Sequence, residues 1–364
     1  MTAIWIILIV GFLALAQTIY YNRWGLKKVS YTRSFSKERV FAGEKVELVE
    51  VLSNRKLIPI PWVRVESRIS SSLRFKRQEN MGIAMDRFHK SLFYLGGYAK
   101  ITRRHEITCL DRGYYDCSLA SIVAGDLFGV AHDRADVRGD ARLYVYPAVL
   151  KPDELPDSAL KWQGDVTVRR WILPDPMLTV GIRAYRSGDP QKDVHWGATA
   201  RTGQLQVKQR DYTVSPRALL VMNCQISEGL VGGMEPSQVA LLENGVRICA
   251  ALAAWCVGNG IDVGFLTNGA SKLDDSALSI EPRCADAHLE RILEALALLV
   301  IKMKLDMHTL LDRQIAAAVS DMDILVVSAY WSDELEQRAA RLRRQNNSVT
   351  WLPITAGREV SHEA

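Results

Sequence analysis

Hydrophobic and polar residues follow three different patterns in three successive segments of the chain. Residues 3–22 are almost entirely apolar and carry no charged side chain. From Val29 to Val149, apolar and polar positions mostly alternate, which is typical of half-buried strands. After Pro216, short apolar runs alternate with longer helical patterns. The chain is therefore predicted to hold a transmembrane helix, an antiparallel β-sandwich and a doubly wound α/β domain.

The first segment is long enough to cross a bilayer as one helix, because roughly 20 apolar residues span the hydrocarbon core. Arg23, Lys27 and Lys28 follow it directly, and no charged side chain precedes it. Positive flanks stay in the cytoplasm. We therefore expect residues 3–22 to contact membrane lipid as a single-pass anchor, with the N-terminus outside and the bulk of the chain cytoplasmic.

A cleaved signal peptide is the alternative interpretation of this segment. Ala14, Leu15 and Ala16 have the small-x-small form of a cleavage site. Cleavage would export the rest of the chain. The lack of a basic region before the apolar run, and its continuation past Ala16, favour the anchor.

The alternating segment predicts a β-rich module. Five runs are predicted as strands, the third and fourth as a pair: Val46–Val51, Trp62–Ile69, Ala99–Thr108, Gly113–Ser121 and Ala141–Tyr146. Glycine-containing turns are expected at residues 111–115 and 125–129. Cys109 and Cys117 lie eight residues apart on strands predicted to be neighbours; they could pair if the module were exported and should stay reduced in the cytoplasm.

A polar block precedes the α/β pattern. Asp189 and Pro190 are predicted to begin a helix, since Asp caps free amides and Pro fits a first turn. Gly203 is expected to end that helix, and residues 205–208 resume as a strand. Three arginines (183, 186 and 201) lie close in sequence to two aspartates (189 and 193), which predicts an ion-pair network.

The last segment alternates strands and helices, which predicts a mostly parallel sheet. Its expected strands are 218–222, 261–267, 324–327 and 349–354, and its expected helices are 236–257, 285–303, 307–319 and 333–344. Ligands of such sheets bind beyond the carboxyl ends of the strands. The loop at residues 223–227, after the first strand, is therefore the place for a site.

Four segments follow from these patterns: an anchor with its basic flank (1–28), a β-sandwich-like domain (29–150), a linker with the polar block (151–215) and an α/β domain (216–364). The prolines at 147, 152 and 156 make the second boundary the clearest. Composition adds little, since 48% hydrophobic and 24% charged residues describe a folded protein. A net charge of +5 without a basic tract gives no reason to expect nucleic-acid binding.

Residues 181–208, followed by the strand 217–223, resemble the domain-of-unknown-function-58 family of prokaryotic membrane proteins. The residues at the spacing of that family's signature are Gly181, Arg183, Tyr185, Gly188, Asp189, His195, Trp196, Ala200 and Arg201. Residues 39–54, 58–62 and 124–130 also look like its β-rich half. Many members of the family have two spanning helices, whereas one is predicted here.

The resemblance implies a von Willebrand factor A-like fold for residues 216–364 and a MoxR-type AAA+ ATPase as partner. Such domains usually carry Asp-x-Ser-x-Ser after their first strand, where oxygen ligands hold Mg²⁺. The matching positions here are Asn223, Gln225 and Ser227, so the anchoring carboxylate is missing. We therefore expect no tightly bound metal and no other cofactor.

Three functional hypotheses remain. The first is a non-enzymatic membrane adaptor or assembly factor whose cytoplasmic domain recruits the ATPase. Its signature residues, expected to bind the partner, are Arg183, Tyr185, Gly188, Asp189, His195, Trp196 and Arg201. The second is a hydrolase that uses His195 and nearby carboxylates, although no nucleophile motif such as Gly-x-Ser-x-Gly occurs. The third is an exported adhesion-like module.

Overall fold

The structure, a computed structural model, describes residues 2–76, 88–129, 132–151, 154–172, 179–186, 189–210, 216–227, 234–274 and 276–354. The chain divides into two compact units. The first contains Met1–Ala148 with Leu296–Leu298, and the second contains Val149–Ala295 with Leu299–Ala364.

The N-terminal apolar segment forms the helix α1, Thr2–Trp24. Its residues 4–24 are long and apolar enough to cross a membrane, and only 6% of its most apolar stretch is buried against the protein. A second helix, Pro236–Gly258, passes the same test of length and composition, but more than half of it is buried. An apolar helix that is buried on most sides is a core helix. Among the described residues, α1 is therefore the single candidate for a membrane span.

In its described residues, the first unit contains α1 and eleven strands. In chain order they are β1 (Val29–Phe35), β2 (Arg39–Phe41), β3 (Lys45–Asn54), β4 (Ile60–Arg68), β5 (Leu73–Phe75), β6 (Phe88–Leu95), β7 (Lys100–Cys109), β8 (Gly113–Asp116), β9 (Leu119–Gly125), β10 (His132–Arg138) and β11 (Arg142–Tyr146). They form two four-stranded sheets, β1-β3-β7-β5 and β10-β9-β4-β6, and a three-stranded sheet, β2-β11-β8. All pairs are antiparallel except the parallel pair β2 and β11.

The sheet β1-β3-β7-β5 contributes to two hydrophobic clusters. Leu52 of β3 packs in one cluster with Val63 and Ile122 of the sheet that contains β4 and β9. Leu48 of β3 packs in another cluster with Leu143 of β11. Leu48 and Leu52 point to the same face of β3, because side chains at even spacing along a pleated strand do so. An apolar face of this kind requires a covering layer. The strands of the first unit are therefore held together by packing between sheets.

The predicted pairing of the third and fourth strands is wrong. Residues 113–121 form two strands, β8 and β9, and neither pairs with β7, which lies between β3 and β5. Cys109 and Cys117 consequently do not lie on neighbouring strands. Both thiols are free and buried in the same hydrophobic cluster. Which strand pairs with which depends on contacts between distant residues, and a period of two does not encode them.

The second unit contains the remaining helices and strands. They are α2 (Asp157–Ile172), β12 (Thr179–Ala184), α3 (Trp196–Thr202), β13 (Gln206–Arg210), β14 (Arg217–Met222), α4 (Pro236–Gly258), β15 (Asp262–Ser271), β16 (Ala277–Arg283), α5 (Asp286–Leu298), β17 (Leu299–Met303), α6 (Met307–Ala316), β18 (Asp323–Ser328), α7 (Asp333–Arg344) and β19 (Ser348–Pro353). Six of these strands form one sheet in the order β16-β15-β14-β18-β19, with β17 also paired to β15.

The centre of this sheet is parallel and covered on both faces. Strands β15, β14, β18 and β19 run parallel, whereas β16 and β17 join β15 antiparallel. Helices α6 and α7 pack on one face in a cluster that includes Val221 and Val326. Helix α4 lies against Met222, since a Cβ at Gly245 would meet that side chain. Parallel strands buried on both faces explain the continuous apolar runs in the sequence.

Three predicted elements end elsewhere than expected. The strand predicted over 261–267 continues to Ser271, and the helix predicted over 307–319 ends at Ala316. The helix expected over 285–303 ends at Leu298, and the chain continues directly as β17. The helix α2 and the strand β16 were not predicted. The strands β14, β18 and β19 and the helices α4 and α7 lie within one or two residues of the predicted bounds.

Candidate functional site

The signature residues lie on a small substructure formed by β12, β13 and α3, called here the signature hairpin (residues 179–186 and 189–210). Its two strands pair antiparallel, with Arg183 opposite Val207. Val194 forms an isolated bridge to Val207, and both valines are buried. The bridge places the connection along the edge of β13 that β12 does not occupy. Gly188 lies outside the described residues.

Arg183 and Asp189 form the central contact of the signature hairpin. Arg183 Nη1 lies 2.7 Å from Asp189 Oδ2 and Nη2 lies 2.8 Å from Oδ1, so the pair is bidentate. Asp189 Oδ2 also accepts the backbone N–H of Arg186 at 2.8 Å. The hydrogen bonds from Arg183 and Arg186 lower the pKa of the Asp189 carboxyl to about 2. The carboxylate therefore ties the end of β12 to the connection that follows it.

The helix α3 of the signature hairpin begins later than predicted. Asp189 does not cap it, because its carboxylate is engaged by Arg183. A short 3-10 turn, Gln191–Asp193, follows Pro190, and α3 begins at Trp196 with His195 as N-cap. His195 Nδ1 accepts the backbone N–H of Ala198 at 3.0 Å. Gly203 ends the helix in the left-handed conformation, as predicted.

The N-cap contact determines which ring nitrogen of His195 accepts a hydrogen bond. An imidazole that accepts through Nδ1 carries its proton on Nε2 in the neutral form. The described contacts thus use His195 as a structural acceptor. They give no support to the hydrolase hypothesis, which stays a prediction.

The remaining signature residues are arranged around this framework. The backbone N–H of Tyr185 donates to the carbonyl of Leu205 at 2.9 Å and extends the pairing of the hairpin. Trp196 is 69% exposed at the first position of α3. Arg201 is exposed and forms no ion pair with a residue that the structure describes. Of the predicted network of three arginines and two aspartates, the described contacts show the Arg183–Asp189 pair, which Arg186 joins through its backbone.

A second polar cluster lies at the carboxyl edge of the parallel sheet, where the sequence places the loop 223–227. Asn223 is fully buried, and its Oδ1 accepts the backbone N–H of Gln225 and the side chain of Asn268. Its Nδ2 donates to Ser328 Oγ at 2.9 Å. Asn268 Oδ1 accepts the backbone N–H of Cys224 at 2.7 Å. Three neighbouring strand ends are thereby linked by neutral amides and a hydroxyl, here called the amide cluster (Asn223, Gln225, Asn268 and Ser328).

Gln225 extends the amide cluster to the start of α6. Its Oε1 accepts the backbone N–H of Met307 at 2.9 Å, and its Nε2 donates to Asp306 Oδ1 at 3.0 Å. Ser227 does not join these hydrogen bonds among the described residues; it lines a cavity of about 30 Å³ together with Cys224 and Gln225. That volume is about the volume that one water molecule occupies in the liquid.

The amide cluster does not fit a divalent cation. Mg²⁺ requires oxygen ligands that are free to point at it, normally with at least one carboxylate. The side-chain oxygens of Asn223 and Gln225 already accept N–H groups, and the carboxylate of Asp306 accepts from Gln225. No group of three or more His, Cys, Asp or Glu side chains in the described part of the chain could hold a metal ion.

Sequence reasoning found Asn223 and Gln225 but missed Asn268, Ser328 and Asp306. A signal for two of them was present, because Asn268 follows the predicted strand 261–267 and Ser328 follows the predicted strand 324–327. Parallel strands end at one edge of a sheet, so polar residues directly after them are expected to meet. The contact of Asp306 depends on the position of α6, which the pattern does not fix.

These observations define the class of protein: a chain with an apolar N-terminal helix, a β-rich unit, and an α/β unit that carries an accessory hairpin and a polar edge. Residues 181–361 match the family described as Protein of unknown function DUF58. The chain belongs to this family. The match begins within the signature hairpin and extends past β19.

One curated relative is the "Uncharacterized protein YeaD" of Bacillus subtilis (strain 168), which is 20% identical over 273 residues. The alignment covers 75% of this chain but 63% of the Bacillus protein. This chain therefore spans less than two thirds of that relative's length.

Two of the similar solved structures are small domains. A CARDB domain from Pyrococcus furiosus is 13% identical, with 31% of this chain and 90% of that chain covered, at a TM-score of 0.19. A non-cellulosomal cohesin from Archaeoglobus fulgidus is 8% identical, with 32% and 91% covered, at a TM-score of 0.21. Scores this low support no argument about the fold or the function.

Proposed function

We propose that the protein is a membrane-anchored, non-enzymatic adaptor or assembly factor that recruits a MoxR-type AAA+ ATPase through the signature hairpin. The observation that supports this proposal is the combination of an exposed Trp196 with a framework that fixes its position. The bidentate pair of Arg183 and Asp189 precedes Trp196 in sequence, and the N-cap bond from the Ala198 N–H to His195 spans it. Pre-positioned aromatic side chains are the commonest strong contributors to protein interfaces.

The charge of the signature hairpin indicates the chemistry of the partner. Arg183 and Asp189 neutralise each other, whereas four further basic side chains are exposed: Arg186, Lys192, Arg201 and Lys208. Basic residues around an aromatic contact favour an acidic surface on the partner. We therefore propose that the ATPase contributes an acidic patch with an apolar recess for Trp196.

The α/β unit supports the proposal at the level of fold. We propose that residues 216–364 form a von Willebrand A-like domain, because parallel strands with helices on both faces place polar loops at one edge. The amide cluster occupies that edge and cross-links it. In this proposal the edge is a rigid support, and the partner binds at the signature hairpin.

Affinity purification of the full-length protein from its native membranes, in mild detergent with ATP present, tests the proposal. We expect an AAA+ ATPase in stoichiometric amount with the wild type, and its loss in Trp196→Ala. Leu273→Ala is the matched control, because Leu273 is also a large exposed apolar side chain of the second unit. Trp196 is 69% exposed, so the variant should fold.

Two further results would decide against the proposal. Recovery of the protein without an ATPase, in the presence and absence of nucleotide, would remove the adaptor function. Equal loss of the ATPase in Trp196→Ala and Leu273→Ala would show that the signature hairpin is not the contact. A folded Arg183→Ala variant, verified by circular dichroism, should weaken recovery because it releases the connection that positions Trp196.

A further inference from the structure

The turn that follows β9, residues 126–129, lies directly beside α1, the candidate membrane span. Thr18 Oγ1 of α1 is 3.2 Å from Asp126 Oδ2, and the Asp126 side chain is completely buried. The carbonyl of Asp126 accepts the indole N–H of Trp62 at 3.0 Å. This turn is therefore fixed from two sides, by the helix and by the β-rich unit.

The same turn exposes two large apolar side chains at its tip. Leu127 is 69% exposed and Phe128 is 66% exposed. The backbone N–H of Gly129 bonds back to the carbonyl of Asp126, and Gly129 has a φ of 71°. This left-handed conformation suits glycine and closes the turn tightly. Two exposed apolar residues at the end of a rigid turn are costly in water, since each leaves apolar area unburied.

The position of this turn along α1 indicates which environment covers the exposed side chains of Leu127 and Phe128. Thr18 lies inside the candidate span, Ile4–Trp24. It precedes Trp24 by six residues, which is about 9 Å along a helix. Tyr20 and Trp24 are the kind of residue that marks the boundary between hydrocarbon and headgroups. If α1 spans the bilayer, a turn bonded to Thr18 lies at or below that boundary.

A second connection approaches α1 at the level of Trp24. Lys56 Nζ donates to the carbonyls of Trp24 and Gly25 at 2.8 and 2.6 Å, so it caps the end of the helix. Tyr21 donates its hydroxyl to the carbonyl of Pro59 at 2.7 Å. Leu57, between these two anchoring points, is highly exposed. The β-rich unit thus presents apolar side chains from two connections around one end of α1.

We infer that Leu127 and Phe128 insert into the membrane beside α1, with Leu57 at the surface, so that the β-rich unit contacts lipid directly. The partner of this surface is the lipid bilayer, because the surface is continuous with the candidate span. Basic residues at the same end of α1, Arg23 and Lys27, add attraction to anionic headgroups. Neither contact depends on the identity of an ATPase.

Full-length protein in liposomes of phosphatidylethanolamine and phosphatidylglycerol tests this inference. A polarity-sensitive dye is attached to one introduced cysteine per chain in a Cys284→Ser background, because Cys284 is the exposed one among the six cysteines. Leu127→Cys and Phe128→Cys report on the turn. We expect their emission to shift to the blue and to be quenched when part of the lipid carries bromine near the top of the acyl chains.

Leu119→Cys is the matched control. Leu119 is 63% exposed and begins β9, the strand that ends at Gly125. Six residues of strand place it about 20 Å from the turn. We expect no blue shift and no quenching there. Ile9→Cys, in the middle of α1, verifies that the helix itself is in the bilayer.

Each alternative outcome overturns the inference. Quenching at Ile9→Cys without quenching at Leu127→Cys would show that α1 spans while the turn stays in water. Protection of Leu127→Cys from aqueous iodide, without quenching by brominated lipid, would assign the surface to a protein. Absence of quenching at Ile9→Cys would remove the anchor and the inference together.

Discussion

Asn223 uses both ends of its side-chain amide, and this is what distinguishes it from an aspartate at the same position. Its oxygen accepts two N–H groups, and its nitrogen donates to Ser328, whose hydroxyl donates to the carbonyl of Tyr330. A carboxylate could replace the oxygen but has no N–H to donate. The neutral cluster is therefore complete as it stands, and a charge would disturb it.

We predict that Asn223→Asp lowers the free energy of unfolding by about 1–3 kcal/mol, because a buried donor is lost and a charge is buried. Excess Mg²⁺ should restore part of this loss in Asn223→Asp and have no effect on the wild type. Chemical denaturation with and without Mg²⁺ measures both effects. Asn347→Asp is the control, because Asn347 is also buried and its amide donates to the carbonyls of Val319 and Leu342, outside the degenerate metal-site loop.

A stabilisation of the wild type by Mg²⁺ would contradict this prediction. So would micromolar Mg²⁺ or Mn²⁺ binding in calorimetry that is lost in Ser227→Ala, since Ser227 stands at the third position of the degenerate metal-site loop. Equal rescue of Asn223→Asp and Asn347→Asp by Mg²⁺ would indicate a general salt effect.

Asp189 provides a prediction about pH. Its pKa is lowered from 3.8 to about 2 by its hydrogen bonds to Arg183 and Arg186. When folding lowers a pKa, the contact contributes its full stabilisation at pH values above the pKa of the unfolded state. This stabilisation is lost as the pH falls through the pKa of the folded state. The folded pKa of the Asp189 carboxyl is about 2. The signature hairpin should therefore be unchanged from about pH 5 upward and should loosen only in strong acid.

The amide resonance of Arg186 measures this transition, because that N–H donates to Asp189. In protein labelled with nitrogen-15 arginine and held in detergent micelles, we expect the chemical shift of this amide to titrate with a midpoint near pH 2. Asp189→Asn should abolish the titration, and Asp193→Asn should leave it in place. A midpoint close to the ordinary value of an aspartate would mean that the ion pair is absent in solution.

At the scale of elements, α3 depends on the acceptor at its start. His195 Nδ1 accepts the N–H of Ala198, the third residue of the helix. An asparagine can make the same bond, whereas an alanine cannot, and loss of an N-cap costs about 0.5–2 kcal/mol. We predict faster amide hydrogen exchange over residues 196–202 in His195→Ala and wild-type exchange in His195→Asn.

The same pair of variants separates a structural role from a catalytic role. If His195 only caps α3, His195→Asn should retain partner recovery while His195→Ala weakens it. A hydrolytic activity that is lost equally in both variants, with normal exchange in His195→Asn, would instead favour the hydrolase hypothesis.

Elements defined by local pattern could be predicted from the sequence, and those defined by distant contacts could not. The apolar run of α1 and the helical period of α7 give correct positions. The start of α3 was wrong, because Asp189 is drawn to Arg183 on the preceding strand. The end of α5 was wrong because residues 299–303 pair with β15, and helix and strand are ambiguous in a short apolar run.

The candidate site shows the same division. Asn223 and Gln225 could be predicted, since they follow an obvious buried strand. The bond between Gln225 and Asp306 could not, because it joins residues 81 positions apart. The signature residues were named from resemblance, and the structure separates them into a framework (Arg183, Asp189 and His195) and an exposed side chain (Trp196).

At the scale of the whole molecule, the distribution of thiols gives a natural probe of topology. Cys284 is exposed, and the five other cysteines are buried. Burial raises the pKa of the Cys109 thiol to about 11 and raises the pKa of Cys249 and Cys256 as well. Thiols with raised pKa and no access to solvent react slowly, because the thiolate is the nucleophile. One site per folded chain should therefore react with a maleimide.

A membrane-impermeant maleimide applied to cells and to inverted vesicles tests on which side this site lies. We expect one label per chain in inverted vesicles and none in intact cells, since the basic flank after α1 predicts a cytoplasmic body. Cys284→Ser should remove the label in both preparations. Labelling of intact cells would place the α/β unit outside and support an exported module.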